Sequence, residues 1–176
     1  MNTPDPMWST QVSRHVQAPA VVVWQVITDL EGTARHLPGI LRLERLSDDG
    51  PGTYRLGTRW RETRRMFGRE ASEVMEVAAV DPERRTDIVA EHDGVRYETG
   101  FDLTPAGNGA EPDGTDLVFR FSATRSGQAP TGLKGLASTA GMTLMGPLAL
   151  RATRKQMETE LRHIAERAEH LAAGGA

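Results

Sequence analysis

Residues 141–171 read GMTLMGPLALRATRKQMETELRHIAERAEHL, and this stretch decides the fold that the sequence predicts. Ala, Leu, Met, Glu, Lys and Arg dominate it, and all of them are good helix formers. Its second half repeats apolar side chains at intervals of three and four residues, which places them on one face of a helix. These side chains are Met157, Leu161, Ile164, Ala168 and Leu171. A helix of about 25 residues is roughly 38 Å long, enough to lie across a whole sheet.

The other surfaces of this helix differ in character. Charges of opposite sign follow one another at four-residue intervals, which is typical of a solvated, self-paired face. They belong to Arg154, Glu158, Arg162 and Glu166. The first half, around Met142 and Met145, is apolar nearly all round, which favours burial on several sides or contact with a cavity. The glycine-rich residues 126–141 predict a mobile connection into the helix.

Composition limits the classes of function. The chain has 176 residues, a net charge of −3 and no Cys. We therefore expect one domain over residues 8–171, a flexible segment at 1–7 and a frayed end at 172–176. The absence of Cys excludes disulfides, a thiol nucleophile and thiolate metal sites. The charge is too small to indicate a nucleic-acid partner, and no signal peptide or membrane span is visible. These features predict a cytoplasmic monomer or homodimer without a cofactor.

A hairpin in the middle of the chain fixes the register of two predicted strands. If Phe67 and Gly68 form a two-residue turn, Met66 lies opposite Arg69. One face of the hairpin then carries matched polar pairs, as a solvated face should. The other face carries Trp60, Met75 and three charged side chains, and its large apolar residues indicate that it points inward. The three charged residues are Glu62, Glu73 and Arg64.

A second hairpin turns at Asp93 and Gly94, a strong signal for a type I′ turn. Its register places Tyr97, Thr99 and Phe101 on the inward face, and a later strand at residues 115–125 adds Phe119. The predicted order is one strand, one or two helices, about six antiparallel strands and one long helix. A curved antiparallel sheet with one apolar face needs a cover, and only the terminal helix is long enough to provide it.

Short motifs along the chain support a family resemblance. They are Ala18-Pro19, Val23-Trp24 and Thr28-Asp29, then Gly57-Thr58-Arg59-Trp60, Glu76-Val77 with Asp81-Pro82, and Leu103-Thr104-Pro105 before Gly114-Thr115. With them the chain resembles, over residues 9–171, the START/polyketide cyclase/pollen-allergen-like (SRPBCC) superfamily, in its polyketide cyclase/dehydrase-like branch. The resemblance implies an α+β helix-grip fold, a curved antiparallel sheet of six to seven strands around a long C-terminal helix with an internal cavity.

The same resemblance leaves three functions open. It implies binding of a hydrophobic or amphipathic small molecule, lipid or polyketide-like, between the sheet and the helix. The alternatives are a polyketide cyclase or dehydratase and a protein-interaction module of the Hsp90-activator or ribosome-associated type. An enzyme would need a proton carrier near a bound carbonyl, and an interaction module would need a contiguous exposed apolar patch.

The inward charges are the candidates for chemistry. One arginine, Arg64, cannot neutralise both Glu62 and Glu73, so repulsion and burial would raise one carboxyl pKa and create a general acid or base. Tyr97 could donate a hydrogen bond to a ligand carbonyl. Two other interpretations remain: a satisfied polar network that orients a ligand, or a slipped register that leaves the charges outside.

The expected ligand-binding set combines both hairpins with the terminal helix. It consists of Trp60, Glu62, Arg64, Glu73, Met75, Tyr97, Thr99, Phe101, Phe119, Met142, Met145 and Thr153. Thioether side chains adapt to irregular ligands, although ordinary core packing also explains the methionines. Glu160 and His163 share the Glu-x-x-His spacing of di-iron helices, but the chain has no second copy of that motif, so we expect no metal.

Overall fold

The computed structural model describes residues 6–37, 39–66, 69–92, 94–107, 114–125 and 133–174. Within helices and strands, the side chains of residues 66, 69 and 133–149 lie outside this description. The chain forms seven strands and three helices in the described ranges. They are β1 (Trp8–Val16), α1 (Ala20–Thr28), α2 (Leu30–His36), β2 (Ile40–Arg45), β3 (Arg59–Met66), β4 (Arg69–Asp81), β5 (Arg85–His92), β6 (Val95–Ala106), β7 (Gly114–Arg125) and α3 (Leu133–Ala172).

The strands form one curved antiparallel sheet in the order β1-β7-β6-β5-β4-β3-β2. Both predicted hairpin registers are confirmed, because Met66 pairs with Arg69 and His92 pairs with Val95. The register fixes which side chains face inward, since successive residues of a strand point to opposite faces. The fold is therefore the predicted α+β helix-grip arrangement.

The main hydrophobic core lies between α3 and the β1, β6 and β7 end of the sheet. Leu117 and Val16 are fully buried there against α1. The predicted apolar stripe of α3 enters this core through Met157, Leu161 and Ile164. On the opposite face of α3, Arg154 and Glu158 pair at 3.1 Å, and Arg162 and Glu166 do the same. The second half of the helix is thus a clamp on one end of the sheet.

One local prediction at a helix end was wrong. The terminal helix begins at Leu133, eight residues before the predicted start at Gly141, because one interior glycine such as Gly135 costs only about 1 kcal/mol relative to alanine. At the other end of the chain, Pro19 precedes α1 in an extended conformation with ψ of 149°. Its carbonyl accepts the first helical hydrogen bonds, from Val22 and Val23. None of the described helices is both long and apolar enough to cross a membrane.

The connection between β2 and β3 is held by one carboxylate, that of Asp49. It accepts hydrogen bonds from the hydroxyls of Ser47 and Thr58, both at 2.7 Å, and from Arg45 at 3.0 Å. These donors favour the ionised form and lower the pKa of Asp49 to about 2. Arg45 also pairs with Glu31 of α2 at 2.8 Å. This carboxylate therefore helps to place β3 relative to α2.

Replacing Asp49 should lower stability in a pH-dependent way. The folded-state pKa lies below the ordinary 3.8, so ionised Asp49 stabilises the fold above that value and loses this effect as the pH falls towards 2. We expect Asp49→Asn to lower the free energy of unfolding at pH 6 and to differ less from the wild type at pH 3. Urea unfolding at both values measures this, with Asp48→Asn, its exposed neighbour, as the control. A difference from the wild type that is equal at both values would contradict the assignment.

Candidate ligand-binding cavity

A cavity of about 230 Å³ lies between the sheet and α3. Each surrounding element contributes to its wall: α1 provides Val26 and Ile27, and α2 provides Leu30, Thr33 and His36. On the sheet side, Phe101 and Phe119 stack with their ring centroids 4.5 Å apart. Most of the wall is aliphatic or aromatic, so the cavity is suited to an apolar molecule.

The strand alternation brings most of the expected binding residues to this one wall. Trp60, Glu62 and Arg64 alternate along β3 and all face the cavity. The predicted residues of β4, β6, β7 and α3 also line the cavity. They are Glu73, Met75, Tyr97, Thr99, Phe101, Phe119 and Thr153. The side chains of Met142 and Met145 lie outside the described residues. His92 is exposed and does not line the cavity.

A buried ion-pair cluster joins the sheet to the helix at the cavity wall. Arg64 donates one hydrogen bond to Glu62 of β3 and another to Glu160 of α3. Trp60 Nε1 donates to Glu62 at 3.3 Å, and Gln156 Nε2 donates to Glu160 at 3.0 Å. Glu62 and Glu160 are only 6% and 5% exposed. These five residues, called here the ion-pair cluster, hold two carboxylates almost completely out of water and one guanidinium partly so.

The protonation state of Arg64 follows from this arrangement. Burial by itself would lower the pKa of the guanidinium. The charges of Glu160 and Glu62 outweigh that effect, so the pKa of Arg64 lies above its ordinary value. Arg64 is therefore a permanent cation whose charge is already shared by two anions.

Glu160 is the functional candidate that sequence reasoning missed. From the sequence, Glu160 was considered only as part of a possible Glu-x-x-His metal motif. The better signal was its position, because a charge at 160 interrupts the apolar stripe between Met157 and Leu161. A charged residue on a buried helix face requires a partner, and Arg64 is that partner. Sequence reasoning also missed the contributions of α2 and Gln156 to the wall.

Glu73 lies apart from the ion-pair cluster although it pairs with Glu62 across β3 and β4. No hydrogen bond joins its carboxyl group to another of the described side chains. Burial raises the pKa of Glu73, and the charge of Glu62 adds to the rise, while His92 and Arg64 oppose it. Glu73 is thus a carboxyl group of this wall whose surroundings favour its protonated form.

A curved seven-stranded sheet that encloses a C-terminal helix defines the helix-grip class of protein. Within that class, the chain belongs to the family described as polyketide cyclase / dehydrase and lipid transport, whose sequence model matches residues 7–169. A comparison with curated proteins found no match.

Solved structures share the fold over nearly the full chain. TTHA0849 from Thermus thermophilus superimposes with a TM-score of 0.71 at 22% identity, over 96% of this chain and 100% of that one. The Zhui aromatase/cyclase from Streptomyces sp. R1128 gives 0.71 at 19% identity, over 96% and 99%. A START superfamily protein from Mycobacterium smegmatis gives 0.61 at 18% identity, over 94% and 97%. At these identities the likeness extends to the fold alone.

Breaking the ion-pair cluster from the helix side should destabilise the protein. We expect Glu160→Ala to lower the free energy of unfolding by about 2–3 kcal/mol, because it leaves the partly buried Arg64 with one carboxylate fewer. The matched control is Glu158→Ala, which removes an exposed pair with Arg154 on the opposite face of α3 and should cost less than about 0.5 kcal/mol. Chemical denaturation measures both. Equal costs for the two variants would show that the cluster does not hold the helix to the sheet.

Proposed function

We propose that the protein binds a hydrophobic or amphipathic small molecule in the cavity under α3. The observation that carries the proposal is the composition of the wall, which is mostly apolar and includes a group of polar side chains brought together by β3, β4 and α3. Such a wall binds an apolar body by desolvation and orients it through a few polar contacts. Membership in a family whose description includes lipid transport supports the same function.

The volume of the cavity indicates which ligands it fits. An apolar cavity of about 150 Å³ holds benzene. The 230 Å³ of this cavity therefore suits a bicyclic aromatic molecule or a single chain of about ten carbons. A polyketide-like ring system of one or two rings and a short single-chain lipid both fit this volume.

Binding should depend on free space next to Thr99. This residue lies between Tyr97 and Phe101 on the cavity wall, so Thr99→Phe places a ring inside the space that the ligand would occupy. With 2-naphthalenemethanol as the probe, we expect saturable binding to the wild type and at least a tenfold loss of affinity in the variant. Isothermal titration calorimetry measures both.

The control for this experiment is Thr104→Phe, which adds the same ring to an exposed position of the same strand. Its affinity should equal that of the wild type. If Thr99→Phe binds the probe as tightly as the wild type does, the cavity is not the binding site. If the wild type does not bind the probe, the proposed function fails for a ligand of this size.

A second candidate function, proton transfer on a bound ketone, is favoured by the state of Glu73. Glu62 is held by Arg64 and Trp60, which leaves Glu73 as the carboxyl group with a raised pKa and no hydrogen bond to another described side chain. A group of this kind can remove a proton next to a ligand carbonyl, the first step of an aldol-type cyclisation or dehydration. Tyr97 and Thr99 lie on the same wall and could orient the carbonyl.

Deuterium exchange tests this second function without the natural substrate. We expect the protein to speed exchange of the methyl protons of 2-acetylnaphthalene in D₂O, by about 10²-fold or more over buffer. The rate should rise with pH through the raised pKa of Glu73, because only the ionised carboxylate accepts a proton. Glu73→Gln should abolish the effect, and Glu76→Gln, on the exposed face of the same strand, should preserve it. Proton NMR follows the exchange. Binding without accelerated exchange would mean that the protein is a carrier and not an enzyme of this type.

A further inference from the structure

On the described part of the cavity wall, the carboxyl groups outnumber the basic groups. Glu62, Glu73 and Glu160 supply three carboxyl groups, Arg64 supplies one guanidinium, and His36 supplies one imidazole. With Glu73 ionised and His36 neutral, the formal charge of these groups is −2. While Glu62 and Glu160 stay ionised, it reaches zero only when both Glu73 and His36 carry protons. No combination of protonation states gives the described wall a positive charge while Glu62 and Glu160 remain ionised.

The single guanidinium of the described wall already forms ion pairs with two carboxylates. Arg64 donates to Glu62 and to Glu160, and both of these carboxylates are almost completely buried. An anionic ligand would have to compete with two carboxylates that cannot turn towards water. Arg64 keeps further N–H groups, which can donate to a neutral carbonyl. They cannot neutralise a third anion, because the charge of the guanidinium is already exceeded by that of its two partners.

Glu73 adds hydrogen-bond acceptors to the same wall. Its carboxyl group is half-buried and has no hydrogen bond to another described side chain. An ionised carboxylate can accept several hydrogen bonds, and a cation or a donor in the ligand would supply them. A carboxylate in the ligand would instead face a like charge in a poorly hydrated space, which is unfavourable.

We propose that the cavity selects ligands whose polar group is neutral or cationic and rejects ligands that carry a carboxylate or another anion. This selection rests on the proposed binding function and adds to it the charge class of the ligand. Neutral ketones, alcohols, phenols and amines of suitable size satisfy it, whereas free fatty acids and aromatic acids do not. The ion-pair cluster and Glu73 together set the selection.

Three probes that share one ring system test the proposal. They are 2-naphthylmethylamine, which carries an ammonium group at pH 7, neutral 2-naphthalenemethanol, and anionic 2-naphthoate. Calorimetric titration of the wild-type protein at pH 7 and fixed ionic strength gives the three affinities. We expect the amine and the alcohol to bind, with the amine at least as tight, and the carboxylate to bind at least tenfold more weakly than the alcohol.

A variant assigns the selection to Glu73. In Glu73→Gln, the advantage of the amine over the alcohol should fall by at least threefold, and the penalty on the carboxylate should become smaller. Glu76→Gln, which changes an exposed residue of the same strand, should keep all three affinities within about twofold of the wild type. This control separates the local field of the cavity from the net charge of the protein.

The outcomes distinguish the inference from the function on which it rests. If 2-naphthoate binds as tightly as the alcohol or more tightly, the charge selection is overturned while the binding function stands. If none of the three probes binds the wild type, the binding function itself fails, and the selection fails with it. If selection is present but unchanged in Glu73→Gln, its assignment to Glu73 is overturned.

Discussion

The structure depends on covering the apolar face of one seven-stranded sheet. A sheet with one apolar and one polar face is stable only when another layer removes the apolar face from water. In this chain α3 provides the cover, and it packs mainly on β1 and α1. Met157, Leu161 and Ile164 are buried in the core at that end. The other end of the sheet, where β3 and β4 carry large and charged side chains, is covered less tightly, and the cavity occupies the space between.

The ion-pair cluster is the polar counterpart of this packing. A buried pair of this kind contributes little net stability relative to well-packed apolar residues, because removing three charges from water is expensive. Its geometry is nevertheless specific, since Arg64 reaches Glu160 only when α3 lies at one height and one rotation over β3. The cluster therefore fixes the position of α3 over the sheet. It also pairs the guanidinium of Arg64, the cation of the described wall, with two carboxylates. Glu73 remains beside it as a half-buried carboxyl group without a hydrogen bond to another described side chain.

Sequence reasoning predicted the fold well because its strongest signals are local. The turn signals in the sequence at residues 67–68 and 93–94 predict two hairpin registers, and strand alternation then decides which side chains face inward. The same logic placed Trp60, Glu62, Arg64 and Glu73 on one wall. It could not reveal Glu160 as the partner of Arg64, because 96 residues separate them and only the packing of α3 on the sheet brings them together. The contribution of α2 is of the same kind, since His36 and Thr33 belong to a helix too short to show a clear apolar face.

The central claim is that a small amphipathic molecule occupies the space between the sheet and α3, with its polar group at Glu73. A crystal structure of the complex with 2-naphthalenemethanol tests this most directly. The ring system should lie against Phe101 and Phe119, and the hydroxyl should lie within hydrogen-bond distance of the Glu73 carboxyl group. Electron density for the probe on the outer surface, together with an empty cavity, would contradict the claim.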